Sequence, residues 1–339
     1  MMIKPAPTTA VLVADLQVLR GAIQAPTRGE EWVPPPRFAA KSFANYRLDP
    51  AIAGQAEAVT QVQAFAAQRR RWRFLPRRRT PPGLYLDGGF GVGKTHLLAA
   101  AFHAAPGTRR YASFAEAISL IILLGGRAAA ELLAADLVCI DEFELDDPAN
   151  TRLADLLLEE LVARGSRILT TSNTVSGELG QGRMAADQFR NQLARIADRF
   201  IDVHVPGTDH RRRADASASG PHGWGPDPSA HAAGVHPLLI SVDELDAVLR
   251  GIPIANLRRL AMALPTLTIT GMRPFTDQLS ALRFVNFIDR CYEQECSLRV
   301  VSAAADVAID AIFPDEHCQR AFAKKYRRCQ SRLIEMCST

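Results

Sequence analysis

Residues 83–102 read GLYLDGGFGVGKTHLLAAAF, and this stretch decides how the rest of the chain is read. The apolar run Leu84–Leu86 predicts a buried parallel strand. It breaks at Gly88, Gly89, Phe90, Gly91, Val92 and Gly93, then resumes from Lys94 as an Ala/Leu-rich helix. The pattern G-x-x-x-x-G-K-[ST] between a strand and a helix is the phosphate-binding P-loop. Such a loop wraps tightly enough for its amides to point inward, in backbone angles that a Cβ obstructs. The amides and the positive end of the following helix face the phosphates. Lys94 then reaches the β/γ oxygens, Thr95 is placed to ligate Mg²⁺, and His96 follows on the first helical turn.

A second motif supplies what a P-loop lacks. Leu137–Ile140 is an apolar strand that ends in Asp141 and Glu142, about fifty residues downstream. Asp141 is expected to hold Mg²⁺, directly or through water, and Glu142 to polarise the attacking water. Arg167–Thr171 predicts the next strand, ending in Ser172 and Asn173. This strand is expected between the other two, where the Asn173 amide orients the water. No guanine-reading N-K-x-D segment follows, so ATP is favoured over GTP.

Other elements complete an α/β pattern. Pro50–Gln68 reads as a helix with Ile52, Val59, Val62 and Phe65 as an incomplete apolar stripe. Arg110–Phe114 reads as a strand and Ala115–Leu124 as a helix. Asp147-Pro148 opens a helix whose face carries Leu153, Leu156, Leu157 and Leu161, and Gly165 stops it. Strands alternating with helices give a parallel sheet with its ligand at the carboxyl edge. The fold expected is an α/β P-loop NTPase: an AAA+-like parallel sheet flanked by helices, with a further α/β part at the C-terminus.

The chain of 339 residues accommodates one large domain or two ordinary ones. Its organisation is expected to be an N-terminal arm and helix (1–75), the ATPase core (76–207), a linker (208–236) and a C-terminal α/β part (237–339). The arm, with Pro34–Pro36, is expected to wrap over the surface. Thr208–His236 turns to Ala, Ser, Gly, Pro and His; its scattered histidines, 210, 222, 231 and 236, read as solvated rather than metal-binding. Shifted by 130 positions, Leu137–Asn173 lies over Leu267–Ala303 without a gap. A generic strand–helix–strand of equal length and a degenerate duplication explain this match equally well; Gly271, Met272 and Ala303 stand where Asp141, Glu142 and Asn173 do, so either way the C-terminal part is expected to be α/β and catalytically silent.

Hydrophobic residues make up 47% and charged residues 22%, which excludes a disordered chain. No apolar run reaches the length of a membrane span; the longest is near Ala117–Leu124. The start, MMIKPAPTTA, lacks the apolar stretch of a signal peptide. Six scattered cysteines without paired C-x₂-C spacing argue against zinc and fit a reducing cytoplasm. Net charge is +4, yet residues 69–79, RRRWRFLPRRR, hold seven arginines around Trp72 and Phe74. Two readings apply: a solvated helix end with both aromatics tucked into the core, or a patch for nucleic acid or an acidic partner.

Beyond these motifs the chain resembles the ZapE family of cell-division ATPases, related to the mitochondrial Afg-like ATPases. The resemblance runs through GLYLDGGFGVGKTHLLA, CIDEFELDDP, LLLEELVARG and LTTSN. It resumes in DQLSALRFVNFIDRCYEQ, RVVSAAA and SRLIEM, so that it covers most of the chain from about Ser42. The wording is similar to that of actinobacterial members. The resemblance implies ATP-driven remodelling at the division ring, with the tubulin-like polymer protein FtsZ as partner. It implies nucleotide binding by Gly88, Gly93, Lys94 and Thr95, Mg²⁺ and water handling by Asp141 and Glu142, and a polar sensor at Asn173. The family commonly has an arginine in a G-L-Q-R stretch after the sensor strand. Here the aligned GRMAADQF places Ala186 at that position.

If a homo-oligomer supplies an arginine finger between subunits, the candidates are Arg183, Arg190, Arg195 and Arg199. Two other functions share these motifs. One is a nucleic-acid-stimulated ATPase of helicase-loader type, supported by residues 69–79. The other is an ATP-gated adaptor that scarcely hydrolyses, supported by the missing G-L-Q-R arginine.

Overall fold

Strand β3, Leu137–Asp141, is buried along its whole length, as is β1, Gly83–Asp87. Burial without alternation is what the middle of a parallel sheet covered on both faces requires. The structure is a computed structural model that describes residues 32–68, 82–89, 91–145, 148–174, 187–207, 238–302, 309–314 and 322–337. These residues form two units, 32–207 and 238–337.

In the first unit, β2 (Arg109–Ser113), β3, β4 (Arg167–Thr171), β1 and β5 (Phe200–His204) form one sheet in the order β2-β3-β4-β1-β5. All four pairings are parallel. The strand carrying Asn173 lies between β3 and β1, as its sequence position predicts. Side chains alternate across the sheet. Leu84, Leu86, Leu137, Cys139 and Leu169 face α1 (Gln55–Ala67) and α2 (Lys94–Ala104). Tyr85, Val138, Ile140 and Ile168 face α3 (Phe114–Leu124), α4 (Gly126–Leu133), α5 (Pro148–Ala163) and α6 (Asp187–Ala197). Ser113 and Glu116 cap α3 reciprocally, which lets the chain pass from β2 into a helix with no loop.

Three expectations need correction. Helix α1 starts at Gln55 rather than Pro50, because Asp49 accepts from Ala51 N and Gly54 takes a left-handed φ of 83° at the N-cap. On α5 the buried face is Thr151, Ala154, Asp155, Leu157, Leu158 and Leu161. Leu156 lies beside it at 42% exposure, over Gly126, where a Cβ would come within 2.5 Å of its Cδ2. The arm does not merely wrap the surface: Trp32 and Tyr46 are buried, and the Trp32 carbonyl accepts from Tyr111 N at 2.9 Å. Residues 69–79 and 208–236 lie outside the described residues.

The second unit has its own parallel sheet, in the order β6-β7-β8: β6 (Leu238–Ser241), β7 (Thr266–Met272) and β8 (Ser297–Ser302). Helices α7 (Val242–Arg250), α8 (Leu257–Met262), α9 (Gln278–Glu293) and α10 (Ala323–Cys337) pack with it around Ile269, Phe284, Phe287, Val300, Tyr326 and Leu333. The echo in the sequence is structural. Pro148–Ala163 and Gln278–Glu293 are both 16-residue helices whose starts differ by 130 positions. Each ends in the same left-handed cap. Ser166 N donates to Leu161 O at 3.0 Å past Gly165 (φ 81°), and Cys296 N donates to Cys291 O at 3.0 Å past Glu295 (φ 56°). The SRLIEM segment lies in α10, where Arg332 and Arg328 both pair with the buried Asp289 of α9.

Candidate functional site at the sheet's carboxyl edge

The loop after β1 curls back at Gly88 and Gly93. A Cβ on Gly88 would come 2.4 Å from Val205 O, and one on Gly93 would come 2.7 Å from the Tyr46 ring. Gly93 also has φ 95°, which a side chain disfavours. Phe90 lies outside the described residues. Tyr46 O–H donates to Val92 O at 2.8 Å and so ties the arm to the loop. The Tyr46 and His96 rings meet edge to face at 5.2 Å, and His96 Nε2 donates to Ser42 O at 2.9 Å. Burial holds the His96 imidazole below its ordinary range; the Ser42 carbonyl opposes this and the Lys41 charge adds to it.

Lys94, at the start of α2, is 8% exposed. Its ammonium donates to Gly88 O at 2.8 Å, Gly89 O at 2.6 Å and Asn173 Oδ1 at 3.0 Å. Next to it, Thr95 Oγ1 donates to Asp141 Oδ1 at 3.3 Å. Asp141 also accepts from Tyr111 O–H on β2 at 2.8 Å, from Thr171 Oγ1 on β4 and from the Glu142 amide at 3.1 Å. Glu142 is half-buried with φ 54°, and its amide also donates to Thr171 Oγ1 at 3.0 Å. Asn173 Nδ2 donates to Glu144 Oε1 at 3.0 Å. The structure thus brings Lys94, Thr95, Asp141 and Asn173 together from two strand ends and one helix start, with Glu142 adjoining Asp141.

Tyr111, Thr171, Glu144 and Tyr46 join the site without having been singled out in the sequence. Tyr111 carried a usable signal: it pairs with Cys139, two residues before Asp141, and alternation puts positions 111 and 141 on one side of the sheet. The other three reach the site from a strand end or from segments without periodicity.

Two of the arginine candidates are engaged within the unit. Arg195 donates to Asp155 Oδ2 at 2.7 Å and Arg199 to Asp155 Oδ1 at 2.5 Å. Burial pushes the Asp155 carboxyl up, and the hydrogen bonds from Arg195 and Arg199 more than reverse this, holding it below its usual range. Arg190 lies on α6; Arg183 lies outside the described residues.

The site offers hard oxygen donors, a hydroxyl and a carboxylate, beside a buried ammonium and a glycine turn. Mg²⁺ takes such oxygens and completes its shell with water and phosphate, so Thr95, Asp141 and the turn fit a Mg²⁺–nucleotide. Among the described residues, no helix is long and apolar enough to cross a membrane.

Comparison with known proteins agrees with this architecture. The sequence profile described as AFG1-like ATPase matches residues 28–227 and 254–339. A curated relative, the cell division protein ZapE of Escherichia coli K12, is 29% identical over 155 residues, covering 42% of this chain and 40% of that protein. Among solved structures, DnaI covers 52% of this chain and 93% of its own, at 17% identity and TM-score 0.39. The DnaC helicase loader covers 50% and 98%, at 16% identity and TM-score 0.36. That profile runs through both units and most of the chain's length: the chain belongs to the AFG1-like ATPase family.

Proposed function

We propose that this chain is a Mg²⁺-dependent ATPase that hydrolyses ATP to ADP and phosphate and couples the cycle to remodelling a protein partner. The observation that carries the reading is the position of the Lys94 ammonium, shared between two P-loop carbonyls and Asn173 and one residue from the Thr95–Asp141 contact. Those carbonyls hold the charge where the β/γ oxygens would draw it away. Gly88–Gly93 and the start of α2 cradle the phosphates, and Thr95 and Asp141 hold Mg²⁺. The ion, when bound, supplies neutralisation of phosphate charge. Glu142 takes a proton from the attacking water, and Asn173 orients that water. An arginine from a neighbouring copy completes the site. Of the candidates, Arg195 and Arg199 would have to leave Asp155 to do so.

The partner proposed is FtsZ or another division-ring protein, and the location is the cytoplasm at the septum; the relative's name as a cell division protein supports a division role. The arm (1–75), core (76–207), linker (208–236) and C-terminal part (237–339) remain the proposed division of labour, with chemistry in the core. Binding of ATP with Mg²⁺ by calorimetry tests the reading. The unmutated chain should bind and Lys94→Ala should not; equal binding by both would remove the P-loop from the account.

A further inference from the structure

The segment after Asp141 is threaded with unusual regularity. Phe143 and Leu145 are buried, at 1% and 5% exposure, while Glu142 and Glu144 between and beside them are half-buried. Phe143 N donates to Thr171 O at 2.7 Å, and its ring packs among Phe114, Tyr85 and Phe200. Two apolar anchors and a backbone bond thus hold Glu144 in place. Its Oε1 accepts from Asn173 Nδ2 at 3.0 Å, while Asn173 Oδ1 accepts from Lys94 Nζ at 3.0 Å.

This chain admits only one amide orientation. A lysine ammonium can only donate, so the amide oxygen must face Lys94; an ionised carboxylate can only accept, so the amide nitrogen must face Glu144. Without the carboxylate, Lys94 alone would set the orientation, and in the proposed cycle Lys94 turns toward phosphate. Asn173 would then be free to rotate and present its NH₂ to the water.

We propose that Glu144 is a positioning residue for the ATPase reaction, acting through Asn173: it keeps the amide oxygen directed into the phosphate site when Lys94 engages nucleotide. The inference rests on the ATPase reading above. It gives Glu144 a role separate from those of its neighbours Asp141 and Glu142, although all three carboxylates lie within four residues.

Turnover and nucleotide affinity of full-length Glu144→Ala, Glu144→Gln, Asn173→Ala and the double variant Glu144→Ala/Asn173→Ala test it. Glu144→Ala should lower kcat about tenfold, the worth of one hydrogen bond lost in the transition state, with Kd for the Mg²⁺–ATP complex changed less than about twofold. Glu144→Gln, whose amide oxygen still accepts from Asn173 Nδ2, should restore most of kcat. In the double variant, Glu144→Ala should add nothing to Asn173→Ala, since a residue that acts through another has no effect once that other is gone. The thermal midpoint of Glu144→Gln should match the unmutated chain. Normal turnover by Glu144→Ala, or additive losses in the double variant, would overturn the inference and leave the ATPase reading intact. Absence of turnover by the unmutated chain would overturn both.

Discussion

Tyr111 and Asp141 stand on neighbouring parallel strands, and the phenol hydroxyl of the first donates to Oδ2 of the second at 2.8 Å. Thr95 and Thr171 donate to the other oxygen, Oδ1. The carboxylate is therefore turned from both sides before any ion arrives. A ligand oriented in this way depends on its supporting hydrogen bonds. Tyr111→Phe should raise the Mg²⁺ concentration for half-maximal turnover about tenfold, with turnover at saturating Mg²⁺ nearly restored. A titration of ATPase rate against Mg²⁺ measures this; an unchanged midpoint would show that Tyr111 does not support the ligand.

His96 couples the arm to pH. Burial keeps its folded-state pKa below the ordinary 6.5, so the unfolded chain binds the proton more readily. Stability should be flat above about pH 6.5 and fall as pH drops from there toward the lowered folded value. The protonated ring would also face Lys41, whose charge already opposes it. Urea midpoints between pH 5 and 8 should show this loss in the unmutated chain and a smaller one in His96→Asn. Parallel pH profiles for the two proteins would assign the effect elsewhere.

The second unit depends on a buried charge cluster. Asp289 is fully buried and pairs with Arg328 and Arg332, while Arg332 also stacks over Tyr292 at 4.8 Å. Removing one partner leaves the others charged and uncompensated. Asp289→Ala should cost about 3–5 kcal/mol in chemical denaturation. A loss below ~1 kcal/mol would mean that the arginines find water or other partners readily.

Glu295 occupies the left-handed position that Gly165 fills in the matching helix cap. A side chain there costs about 1–2 kcal/mol of backbone energy, which glycine avoids at an entropic cost of about 0.5–1 kcal/mol. Glu295→Gly should therefore stabilise the chain by roughly 0.5–1 kcal/mol, read as a higher urea midpoint at unchanged slope. A lower midpoint would show that the Glu295 side chain contributes more than its strain removes.

Much of the first unit was legible in the sequence because its signals are local. The runs 84–86 and 137–140 are short and wholly apolar, 167–171 is short and rich in β-branched residues, and glycines mark the loop between β1 and α2. The central place of the strand that carries Asn173 was legible too, but its hydrogen bond to Lys94 was not. What escaped was the tertiary detail. Leu156 looks like core by helical spacing, yet the face that packs is set by Thr151, Ala154 and Leu158. Tyr46 and Trp32 sit in a segment with no periodicity, and their burial comes from docking on a surface that the other elements build. Glu144 reads as one acid among several in DEFELDD. Only the burial of Phe143 and Leu145 on either side explains which way its backbone runs.

The separation of nucleotide binding from hydrolysis at Glu142 tests the central claim most directly. ATP affinity and single-turnover hydrolysis, measured on purified Glu142→Gln beside the unmutated chain, make that separation visible. The account predicts unchanged affinity with hydrolysis slowed by about 10²-fold or more, so that ATP is recovered intact from the complex. Hydrolysis by Glu142→Gln at the unmutated rate would contradict it.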